Sequence, residues 1–226
     1  MENKIISKQI LDFLDDLNKN NNREWFSENK ERFRKIETQV KGFYNFLLEK
    51  MKEQDDIEKL KIFRIYRDVR FSKDKSPYKS HFAGSMSRKG NHLRGGYYLQ
   101  IKPKESFIAA GFWQPNKEDL FRIRKELELD ASHFRTLIEE PGFKNIWGNL
   151  VGEEVKTAPK GFDKLDPNID LIRKKAFVFV RNFTDKEVLA DSFAEEVSSS
   201  FLRIRPYFDL MSDILTTDLN GESLLN

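Results

Sequence analysis

Apolar residues at positions 6, 10, 13, 14 and 17 (Ile6, Ile10, Phe13, Leu14, Leu17) recur at three- and four-residue spacing, which predicts a helix over about residues 5 to 18. The polar run NKNNNR breaks it. Asn21 with Glu24 three positions on reads as a capping box, asparagine standing where serine or threonine is usual. From there Phe26, Phe33, Ile36, Val40, Phe43, Leu47 and Met51 trace one stripe of a long helix to about residue 53, opposite a face rich in lysine and glutamate.

The period then changes. Phe63 and Ile65 alternate with Arg64 and Tyr66, which predicts a strand, and a regular strand over residues 63 to 71 puts Arg64, Tyr66, Asp68 and Arg70 on one face. Phe63, Ile65, Val69 and Phe71 then take the core face, with Arg67 the exception among them. SKDKSPYK reads as a loop in which Ser76 caps a short helix begun by Pro77. HFAGSMSR is a second strand-like segment, and YYLQIKP and SFIAAGFWQP form two strands of an antiparallel hairpin across KPKE. Asn116 caps a helix to about residue 128, and Asp130 caps ASHFRTLIEE, which Pro141 ends. KAFVFVRNF is the most strand-like run. A last apolar stripe follows Asp185, from Phe193 through Phe201 and Phe208 to Leu215, and Pro206 within it predicts a kink or a division into two helices. Helices, then several strands, then helices, one strand and a final helix is not βαβ alternation. The order predicts an α+β domain over residues 1–226, with a mainly antiparallel sheet flanked by N-terminal, central and C-terminal helices.

The chain's 226 residues are enough to bury a substantial core, and twenty phenylalanines supply it. Charged residues make up 34 %, but 40 bases against 37 acids leave only +3, so any charged binding face has to come from local clustering. Cysteine is absent, which excludes disulfides, thiolate nucleophiles and cysteine zinc sites. The opening MENKIISKQILDFLDDLNK has no long apolar core, so it does not read as a signal peptide, and no apolar run is long enough to span a bilayer. The expectation is a cytoplasmic protein without a membrane partner.

NNREWF, FRIYRDVRFSKDKSPYKSHF, GGYYLQIKPKESFIAAGFWQP, TAPKGF and NFTDKEV occur in that order. Together they resemble the bacterial and fungal family called domain of unknown function 2461, over nearly the whole chain. The resemblance implies a single α+β domain and brings with it no activity and no catalytic residue.

Between Phe63 and Phe82, six cations (Arg64, Arg67, Arg70, Lys73, Lys75, Lys79) face two carboxylates, Asp68 and Asp74. Clustered guanidiniums call for an anion, because arginine grips phosphate or carboxylate through two parallel hydrogen bonds. The candidate ligand-binding residues are therefore Arg64, Arg67, Arg70, Lys73 and Lys79, with Tyr78 and His81 orienting an anionic small molecule. His81 as a general base needs a carboxylate partner, for which Asp68 and Asp74 are the candidates. The competing reading makes the block a salt-bridge network that fastens a loop, in an interaction or structural protein. A third reading is single-stranded nucleic acid stacked on Tyr66, Tyr78, Tyr97, Tyr98, Phe112 and Trp113, although on alternating strands half of these rings point into the core. No nucleotide-binding glycine motif, nucleophile elbow or histidine metal spacing occurs, so no cofactor and no metal is expected.

Overall fold

A computed structural model describes residues 4–218 and 220–225. Met1–Asn3, the start of the stretch read above for a targeting signal, lie outside them. The chain divides into two compact units. The first takes the chain to Met86, Tyr98–Ile108 and Asn182–Ser199, and the second takes Ser87–Tyr97, Ala109–Arg181 and the chain from Ser200. A five-stranded antiparallel sheet in sequence order is built from β1 (Ile57–Ile62), β2 (Phe82–Arg88), β3 (Gly96–Ile101), β4 (Ser106–Phe112) and β5 (Phe177–Phe183). Short links join β2 to β3 and β3 to β4, which favours antiparallel neighbours there, while long connections lead from β1 to β2 and from β4 to β5.

In the first unit, α1 (Lys8–Lys19) buries Ile10, Leu11, Phe13, Leu14 and Leu17, the predicted stripe. The second apolar stripe is carried by two helices, α2 (Arg23–Glu28) and α3 (Lys30–Lys52), which meet at Asn29. The cap of α2 is Asn22, whose side-chain oxygen accepts the Trp25 N–H at 2.9 Å, so the capping box expected at Asn21 sits one residue later and lacks its glutamate. Asn21 is thereby released for another task. On α3, Tyr44 is fully buried and donates its hydroxyl to the Leu99 carbonyl at 2.9 Å. Its ring lies against the backbone of β2 at Gly84, where an added Cβ would come within 2.7 Å of the ring. Only glycine leaves room for that ring.

In the second unit, Asn116 caps α4 (Lys117–Leu129) through the Asp119 N–H, as the sequence predicts. Asp130 accepts from the Ser132 N–H at the start of α5 (Ser132–Glu139). Pro141 does more than end that helix. It opens a further one, α6 (Pro141–Trp147), capped by the Glu140 carboxylate on the Phe143 N–H. The short helices α7 (Ile169–Ile172) and α8 (Asp185–Val188) flank β5, α8 lying in the first unit. α9 (Phe193–Thr216) runs continuously through Pro206. Its Tyr207 is fully buried, donates to the Phe177 carbonyl at 2.9 Å and packs edge-on against Phe134, Phe179 and Phe112. Among the described residues no helix is long and apolar enough to cross a membrane.

The expected strand over residues 63 to 71 is absent. The preceding segment, Ile57–Ile62, takes the sheet position instead, and the chain then leaves the sheet at Phe63, whose N–H still reaches the Ala83 carbonyl. Of the four residues assigned to the core face only Ile65 is buried, at 3 % exposure, while Phe71 is 96 % exposed. Nor does Pro77 begin a helix. Its carbonyl accepts the Arg67 N–H, and Tyr66 and Tyr78 form an isolated antiparallel bridge. Charge at alternate positions lets a segment pair without burying it, so alternation alone placed the strand one segment too late.

Candidate functional site

Residues 63 to 81 form an excursion between β1 and β2. Its neck is closed by the Tyr66–Tyr78 bridge, with Arg67 N–H to Pro77 carbonyl at 2.9 Å and Lys79 N–H to Ile65 carbonyl at 2.7 Å. Asn21 clamps the returning arm. Its amide donates to the Tyr78 carbonyl at 2.9 Å and accepts from the Tyr78 N–H at 3.1 Å. The Tyr78 ring, 7 % exposed, stacks on Phe26 at 3.9 Å. This ring is packing, and burial pushes its phenol up from its ordinary range.

The outer arm satisfies its own charges. Arg67 donates to the Asp74 carboxylate, to the Ser76 carbonyl at 3.1 Å and to the Ser72 hydroxyl at 3.3 Å. Arg70 grips Asp68 with both Nε and Nη2, the latter at 2.6 Å. Lys75 donates to the Val69 carbonyl at 3.0 Å. Asp74 also accepts from the Ser76 hydroxyl at 2.7 Å and N–H at 2.9 Å, and these bonds, ahead of Arg67, draw its carboxyl down to about 2. The two aspartates inside the block thus take one arginine each.

Three cations remain. Arg64, Lys73 and Lys79 make no ion pair within the described residues. Arg64 and Lys73 are exposed, while Lys79 is half-buried. Burial, and then the Arg64 charge, lower the Lys79 ammonium from its ordinary value. His81 is likewise half-buried, and burial, Lys79 and Lys102 together bring it down to about 4, against a smaller opposing effect of Glu105. Its imidazole is neutral at pH 7. The carboxylate partner expected for it from Asp68 or Asp74 is missing, since both are held by arginines. The acid that acts on it is Glu105, itself paired with Lys102 at 2.7 Å.

A cleft of about 230 Å³ opens at the base of the excursion. α1 supplies Asn18 and its link to α2 supplies Asn21 to the wall, and the outer arm supplies Arg67, Asp74 and Ser76. The returning arm supplies Tyr78, Lys79, Ser80 and His81. Of the candidate residues, then, Arg67, Tyr78, Lys79 and His81 come together, whereas Arg64, Arg70 and Lys73 are not among the lining groups. Sequence reasoning missed Asn18, Asn21 and Ser80. The run of asparagines is visible in the sequence as a helix break with Asn21 as a cap, and neither role points to a cleft wall. Of the six rings weighed for base stacking, Tyr78, Tyr97 and Phe112 are buried, while Tyr66 and Trp113 are 51 % and 65 % exposed. Among the described residues no cluster of His, Asp and Glu could hold a metal ion.

Fold and site together describe an α+β protein with a small basic cleft beside an antiparallel sheet. The family model described as "Conserved hypothetical protein (DUF2461)" matches residues 9–210, and the chain belongs to this family. No curated protein and no solved structure matches it.

Proposed function

We propose that the cleft at the base of the excursion binds an anionic small molecule bearing phosphate or carboxylate. The observation that supports this reading is Lys79, a half-buried ammonium in the cleft wall with Arg64 acting on it and no carboxylate paired to it. A desolvated cation without a counter-charge raises the free energy of the empty site, and an anion there lowers it. Ser80 and the Asn18 amide offer neutral hydrogen-bond groups of the kind that orient such a ligand. Neutral His81 adds a ring that takes up a proton when an anion arrives. Arg67 lends charge from a fixed position, and Arg64 contributes at longer range.

The test is thermal unfolding of wild type, Lys79→Met and Arg67→Ala against inorganic phosphate, phosphorylated metabolites, nucleotides, dicarboxylates and single-stranded oligonucleotides. An anion at 100 times its Kd stabilises by about 2.7 kcal/mol in wild type, and Lys79→Met loses that response. If no anion shifts the midpoint, or if Lys79→Met responds as wild type does, the reading is wrong. An oligonucleotide response falling steeply with salt replaces it with the nucleic-acid reading.

A further inference from the structure

In the first unit the helices pack on one side of the sheet, where Tyr44 lies against Gly84 of β2 and Leu99 and Ile101 of β3 are buried. Tyr98 and Gln100 alternate to the other side and are half-buried. Three rings form a row there. Phe63 lies 6.3 Å from Tyr98, and Tyr98 lies 5.6 Å from Phe107 of β4. Each ring of the row is half-buried, so the row is held by packing and by the strands that carry it. The row ends at the cleft. Lys79, in the cleft wall, places its ammonium 5.5 Å from the Phe63 ring centroid, and the Lys61 ammonium is 5.3 Å from the same centroid. Neither lysine makes an ion pair within the described residues. Glu105, two residues before Phe107, is already held by Lys102 at 2.7 Å. The unmatched charge beside the rings is therefore positive. Gln100 is bonded only loosely. Its Oε1 accepts from the Tyr98 hydroxyl at 3.2 Å, and its amide donates to the Glu105 carbonyl at 3.4 Å.

We infer that the anion of the cleft is a nucleotide, with its phosphate at Lys79, its base against Tyr98 and Phe107, and Gln100 facing the edge of the base. This rests on the cleft reading and names the ligand class for it. Aromatic side chains stack on any nucleobase, because every base has a π-face. A side-chain amide offers a donor and an acceptor, which suits the polar edge of a base and has no use against a plain hydrocarbon ring. Charge selects a mononucleotide over a strand. Lys61 and Lys79 suit one phosphate group, whereas a strand presents a phosphate at every step and calls for a continuous basic track. In a chain of net charge +3, the cations by the ring row stand at one end of it.

The experiment is calorimetric titration of the full chain, at one ionic strength, with nucleoside monophosphates, the parent nucleosides, ribose phosphate, phenyl phosphate and a single-stranded oligonucleotide. The expected result is a nucleoside monophosphate that binds at least about tenfold more tightly than ribose phosphate. Tyr98→Leu removes the ring and keeps apolar bulk. It brings that nucleotide down to the level of ribose phosphate and leaves ribose phosphate unchanged, while Lys79→Met weakens both. The wild-type comparison decides by itself if Tyr98→Leu does not fold. Ribose phosphate binding as tightly as every nucleotide, or phenyl phosphate as tightly as the best of them, overturns the inference and leaves the cleft reading standing. A nucleoside that binds as tightly as its phosphate overturns it too, as does an oligonucleotide that binds more tightly with an affinity falling steeply with salt. When none of these phosphates binds, the inference fails, and the dicarboxylates of the thermal screen decide the cleft reading on their own.

Discussion

The two arms of the excursion carry the same kind of charge and dispose of it differently. On the outer arm, Arg67 and Arg70 each have an aspartate within seven residues, and their donors are spent on the loop itself. On the returning arm, Lys79 and His81 have no such partner, and their environment disfavours the charged form of both. Local charge excess is therefore a poor guide to a binding site. What separates scaffold from site is whether each cation finds its anion within the fold.

Four variants sharpen that contrast, taken from the largest expected effect. Asn21→Ala removes both hydrogen bonds to the Tyr78 backbone, leaves a partly buried donor and acceptor unsatisfied, and lowers stability by about 2 kcal/mol. The check is urea unfolding, and an unchanged midpoint would show that the clamp is redundant. Arg67→Ala frees the Ser76 carbonyl and the Ser72 hydroxyl and costs about 1–2 kcal/mol, with faster proteolytic nicking between residues 68 and 76. Arg70→Ala removes an exposed ion pair and a contact with the exposed Phe71 ring, and leaves the midpoint where it was, with or without 1 M salt. Lys79→Met also leaves the midpoint unchanged or raises it slightly, because it removes a partly buried cation that has the Phe63 ring, 5.5 Å away, but no carboxylate beside it. A clear loss of stability there would mean that Lys79 is structural and that the two arms are alike.

The pH dependence separates the arms as well. His81 titrates near 6.5 when unfolded and near 4 when folded, so its contribution is present above pH 6.5 and is lost as pH falls toward 4. His81→Gln flattens this part of the stability curve. Asp74 works lower, its contribution present above about 3.8 and lost as pH falls toward about 2. On the proposed reading an anion bound in the cleft raises the His81 value, so binding tightens as pH falls from that raised value toward about 4 in wild type and not in His81→Gln. Calorimetric titration across that range reads the difference, and equal slopes in the two proteins would exclude His81 from the site.

Much of the fold was legible because burial imposes periodicity. The stripes of α1, α3 and α9, the β3–β4 hairpin and the β5 run each repeat with the geometry of their element. The failures came where local pattern and long-range pairing disagree. IEKLKI is half charged yet pairs as β1, while the alternating FRIYRDVRF leaves the sheet and closes on itself through Asp68 and Asp74. Pro206 predicts a kink or a division into two helices, and there is no division: α9 passes through it as one helix among buried aromatic neighbours.

By itself, the sequence determined the class of fold, the family, the absence of cysteine chemistry and the location of the cationic block. The family follows from the resemblance of its motifs in order, and the rest from composition and from spacings shorter than one element. Only the tertiary structure decided which cations are satisfied. Asn21 reaches Tyr78 across 57 positions, and Lys102 and Glu105 act on His81 from the turn between β3 and β4. An ion pair or a desolvated ammonium is defined by distance and burial, and neither is written in the order of residues along the chain.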